Sequence, residues 1–105
     1  MEQKQFKKSL FKVMQHNDYS INMLTVSECE KKNKWTPIDL IMREYYNNGC
    51  GSAKGFLGIT KKECEDCVNY IIDNQEQLKA QNMYSENGFN NFGFPLWKNY
   101  KLERF

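Results

Sequence analysis

The side chains best suited to covalent or metal chemistry here are four cysteines and one histidine: Cys29, Cys50, Cys64, Cys67 and His16. A structural zinc site needs four such ligands in a tetrahedron, often with one C-x-x-C pair at a helix start and a second pair elsewhere. Cys64-Glu65-Asp66-Cys67 supplies one pair, but Cys29 and Cys50 are single, with His16 as a spare ligand. The two paired cysteines are also in phase with Val68 and Ile71, where free cysteine packs as a small hydrophobe. Core thiols and no cofactor are therefore expected, with zinc on Cys29, Cys50, Cys64 and Cys67 as the alternative. A redox role needs a stabilised thiolate, and Glu65 and Asp66 between the sulfurs oppose one.

The stretch Gly49-Cys50-Gly51-Ser52-Ala53-Lys54-Gly55 raises two further chemistries. A phosphate loop needs Gly-Lys-Ser/Thr running directly into a helix, and here Lys54 precedes Gly55, which leaves at most a weak anion nest. Cys50 as nucleophile with His16 as base is conceivable, because such pairs meet in space rather than in sequence. No catalytic constellation beyond this arises, and a non-enzyme is expected.

Positive charge forms the next pattern. Lys4, Lys8 and Lys12 recur every fourth residue with Lys7 beside them, and Lys31, Lys32 and Lys34 adjoin Trp35. These are candidate contacts for nucleic acid or for an acidic partner. Two helices flanking Trp35 have helix-turn-helix order, but the second would bring Asp39 and Glu44 toward phosphate, which argues against groove reading. The net charge of +2 and pI near 8.3 fall below the range of a dedicated nucleic-acid domain. Aromatic side chains gather at the end of the chain: Phe89, Phe92, Phe94, Trp97 and Tyr100 lie among Asn and Gly. They either close the core or anchor a partner, since exposed Trp and Tyr are the usual hot spots of interfaces.

The elements that must position these residues are mostly helical. Phe6, Leu10, Val13 and Met14 share one face of a helix over residues 2–16. Tyr19 to Val26 reads as extended. Ser27 and Glu30 have capping-box spacing for a brief helix through Lys34. Thr36-Pro37-Ile38-Asp39 is a strong helix start, and Gly49 a strong stop. Residues 49–59 read as a loop. Thr60 and Glu63 open the longest helix, to about Asn82.

The expectation is one domain, residues 1–105: a mainly α bundle of three to four helices, with an aromatic-rich, irregular or short-stranded arm over 83–105. The alternative is an α+β fold with a small antiparallel sheet. No apolar run reaches about 18 residues and no secretory signal opens the chain, so a cytoplasmic location is expected. Lysine outnumbers arginine 13 to 2, a bias common in AT-rich genomes such as those of phages and plasmids. Taken together, these features suggest a small regulator, inhibitor or accessory protein that binds another protein. The alternatives are nucleic-acid binding through the lysine-rich helix faces and a zinc-stabilised structural module.

Overall fold

The computed structural model describes residues 1–84 and 101–105. Its described part is mainly helical, with six helices: α1 (Gln3–His16), α2 (Val26–Lys31), α3 (Pro37–Asn48), α4 (Ala53–Leu57), α5 (Lys61–Asp73) and α6 (Gln75–Ala80). No strand occurs among the described residues, so the extended reading of residues 19–26 is corrected there. The chain instead turns through this region. Asp18 takes a left-handed φ of 58°, which a short polar side chain tolerates.

Helices α1, α3 and α5 carry the core, packing pairwise on one another, and α4 bridges α1, α3 and α5. The buried side of α1 is Phe6, Leu10, Val13 and Met14, as its periodicity requires. Phe6 stacks on Tyr70 of α5, ring centroids 4.2 Å apart. Opposite it, Ile38, Ile41 and Met42 of α3 meet Cys64, Cys67, Val68 and Ile71 of α5 in one continuous cluster. Full burial of an aliphatic side chain contributes roughly 1.5–3 kcal/mol, so this cluster outweighs any single polar contact.

Three local departures from the sequence reading have physical causes. The capping box of α2 is Thr25 with Glu28, two residues before the expected Ser27 and Glu30. The Ser27 N–H and hydroxyl instead both bond to Asn82 Oδ1 at 3.0 Å, a long-range contact no local pattern encodes. The expected loop over 49–59 contains the short helix α4, whose Ala53 and Leu57 are buried. The expected single helix from 61 to 82 breaks at Asn74, where φ is −125° and ψ 26°. Asn74 Nδ2 donates to Tyr70 O and Gln75 Nε2 to Ile72 O, satisfying carbonyls at the end of α5. Beyond the break Leu78 is buried in the main cluster.

The start of α3 is as expected: the Thr36 hydroxyl accepts from Asp39 N at 3.0 Å and Pro37 occupies the first turn. Gly49 ends the helix at φ 55°, the left-handed conformation that favours glycine. The Thr60 and Glu63 capping box of α5 is also formed.

Candidate functional site

All four cysteines are free thiols and all are buried. Cys64 and Cys67, four and seven residues into the cap of α5, point inward with Val68 and Ile71. Cys50 joins them from the turn after α3, where its own φ is 69°. The Cys64 thiol is pushed far up, first by its hydrogen bond to Cys50 and then by burial, with Cys67 and Glu44 adding to the shift. Burial likewise pushes Cys67 up to about 12. The fully buried Ser9 Oγ beside it opposes that shift, although it has no hydrogen-bond partner of ordinary geometry. Cys29 sits apart. Its Sγ donates to Met23 O at 3.0 Å, and burial beside Asp39 and Glu28 pushes it up to about 12. A nucleophile or metal ligand must be thiolate, and these surroundings hold each shifted sulfur protonated. Among the described residues no group of three or more His, Cys, Asp or Glu is placed to hold a metal ion.

The glycine-rich turn already contains an anion, its own Glu44. That carboxylate is 3% exposed and accepts from Ser52 N at 2.7 Å and from Asn48 Nδ2 at 3.0 Å. The backbone amide that a phosphate would use is thus taken, and a second anion would be repelled. His16 does not pair with Cys50. Its Nε2 bonds to Gly55 O at 2.8 Å, which fixes the end of α1 to α4. Gly58 passes so close that an added Cβ would lie 2.8 Å from His16 Cβ, Cγ and Nδ1. The sequence raised these residues only as minor candidates for chemistry; in the fold His16 and Glu44 tie the ends of α1 and α3 to the segment around α4.

Outside the core, the lysines of α1 divide. Lys12 pairs with Glu63 at 2.9 Å, tying α1 to the first turn of α5 and holding the Glu63 carboxyl below its usual range through that hydrogen bond. Lys4, Lys7 and Lys8 are exposed, and none of the ion pairs among the described residues includes them. Phe11 lies on the same side, seven residues after Lys4 and three after Lys8, and is 48% exposed. The sequence reading passed over it, although its helical angle is that of the lysines and not of Phe6 and Leu10. Lys31, Lys32 and Lys34 are exposed around the end of α2, separated in sequence from the α1 face. Beside them the Arg43 guanidinium lies 5.1 Å from the centroid of the Trp35 ring. Phe56 of α4 is a further exposed aromatic, on a groove of about 380 Å³ shared with Leu40, Arg43, Glu44 and Leu57.

The expected partner-binding residues Phe89, Phe92, Phe94, Trp97 and Tyr100 lie outside the described residues. On either side of them, Tyr84 is buried with its hydroxyl on Gln75 Oε1 at 3.1 Å, and residues 101–105 return to α3 and α5. No helix among the described residues is long and apolar enough to cross a membrane. No protein-family model, curated protein or solved structure matches this chain.

Proposed function

We propose that this is a small non-catalytic protein that works by occupying the surface of another protein, with the outer face of α1 as its docking edge. The observation that carries this reading is the arrangement of Lys4, Lys7 and Lys8 around Phe11. A half-exposed aromatic ringed by charge has the composition of an interface anchor with a polar rim. The lysines would steer encounter with an acidic surface, and Phe11 would supply apolar area on contact. Arginine, which reads phosphate by its planar fork, is absent from this face, which favours an acidic protein over nucleic acid. The burial of every thiol and the engagement of His16 by Gly55 support a binding role over a catalytic one.

The test compares immobilised wild-type protein with Phe11→Ala and Lys8→Glu variants in native lysate, with and without nuclease. A protein retained by the wild type, lost by both variants and indifferent to nuclease supports the reading. Retention insensitive to both substitutions, or abolished by nuclease, refutes it.

A further inference from the structure

Residues 101–105 occupy a seat on α3 and α5 that has the parts of a peptide-recognition site. Arg104 meets Asp73 through Nε and Nη2, both at 2.9 Å, the bidentate geometry that guanidinium and carboxylate share. Tyr45 Oη accepts from Glu103 N at 3.2 Å and donates to Glu103 O at 3.1 Å, so one hydroxyl engages both backbone polar groups of a residue. Asn69 Oδ1 accepts from Phe105 N at 2.8 Å, and the Phe105 ring stands edge-on to Tyr45 with centroids 5.6 Å apart. Asn69 and Asp73 are four residues apart on α5, so one helix face presents both.

The polar contacts of this occupant are exposed. The side chains of Arg104 and Asp73 are 53% and 47% exposed, and Phe105 is half exposed. Exposed ion pairs contribute little net stability, so apart from the partly buried Leu102, which packs against the main hydrophobic cluster, this segment rests on exposed contacts. It also fills only part of the acidic surface. A shallow cleft of about 410 Å³ runs from Asp73 past the break at Asn74 to Glu76 and Gln77, and none of residues 101–105 lines it. The Glu76 side chain there is 90% exposed, and its pair with Lys79 at 3.3 Å is of the exposed kind that contributes little.

We propose that this seat binds an extended segment of a partner protein in which an arginine directly precedes an aromatic residue, with further basic residues reaching Glu76. Residues 101–105 are its resident, displaceable occupant. The site is separate from the α1 face and does not depend on that reading. A partner matching both the seat and the cleft gains contacts that the resident segment leaves unmade. The resident occupant belongs to the same chain and must first be outcompeted.

The test uses the full chain and a fluorescent peptide of sequence Lys-Leu-Glu-Arg-Phe. The doubly substituted chain Arg104→Ala, Phe105→Ala is expected to bind it at least tenfold more tightly than wild type. Adding Asp73→Asn should reverse that gain, and an Arg-to-Ala peptide should not bind. In the unmodified protein, saturating peptide should shift the Phe105 amide resonance toward its free-peptide position, a readout that does not depend on any variant folding. Equal affinity for wild-type and doubly substituted chains, insensitivity to Asp73→Asn, or an unmoved Phe105 resonance would overturn the proposal.

Discussion

Gly58 offers the sharpest check on the packing of α1 against the turn that follows α4. Its φ is +70°, and an alanine Cβ there would lie 2.8 Å from His16 Cβ as well as from its ring. Left-handed backbone costs a non-glycine residue about 1–2 kcal/mol, partly offset by the lower entropy of the unfolded alanine chain, for a net of about 1 kcal/mol. Overpacking adds about 1–3 kcal/mol, because the imidazole cannot swing away without losing its bond to Gly55 O and the His16 Cβ cannot swing at all. Gly58→Ala should therefore cost about 2–4 kcal/mol in urea unfolding, or on the order of 10–25 °C in Tm. Gly49→Ala is the internal control, since its φ is +55° with nothing within 4 Å of the added carbon. It should cost only about 1 kcal/mol. In a His16→Gly background, the cost of Gly58→Ala should fall to that control level. A His16→Ala background, which keeps the Cβ, should relieve only part of it. Equal costs at Gly49 and Gly58, or no coupling to His16, would refute the argument.

Further outcomes follow from the same structure. Ser9→Ala removes a buried hydroxyl without a hydrogen-bond partner and should stabilise the protein by about 1 kcal/mol in urea titration. Glu63 has a folded pKa below its ordinary value of 4.5, so its contribution is present above that pH and is lost as pH falls through the lower folded value. Acid titrations of wild type and Glu63→Gln should accordingly converge at low pH. Cys29 and Cys67 are raised from 9.0 to about 12, so their contribution is complete below pH 9.0 and is lost as pH rises toward 12. Alkaline unfolding should track that window, and a thiol reagent should modify none of the four cysteines until the chain unfolds. A chelator should leave Tm unchanged.

Much of the helical plan was legible because its signals are local. The apolar faces of residues 6–14 and 64–71, the Thr36-Pro37 start and the Thr60–Glu63 box each depend on spacing within one or two turns. The inward direction of Cys64 and Cys67 follows from the same periodicity. What the sequence concealed depends on groups far apart in the chain. Thr25 rather than Ser27 caps α2 while Asn82, 55 residues away, engages Ser27. Residues 61–82 break at Asn74, with Leu78 buried in the main cluster beyond it. Glu44 became an internal anion only because the turn from Gly49 to Ser52 folds back onto its carboxylate. Phe11 faces outward by its own helical angle, whereas the tie between Lys12 and Glu63 exists only because α1 and α5 pack side by side. Periodicity therefore determined which faces are oily and where helices begin. The close packing of those faces, which brings distant polar groups within hydrogen-bond reach, decided which reactive residues are structural and which surfaces are left to bind.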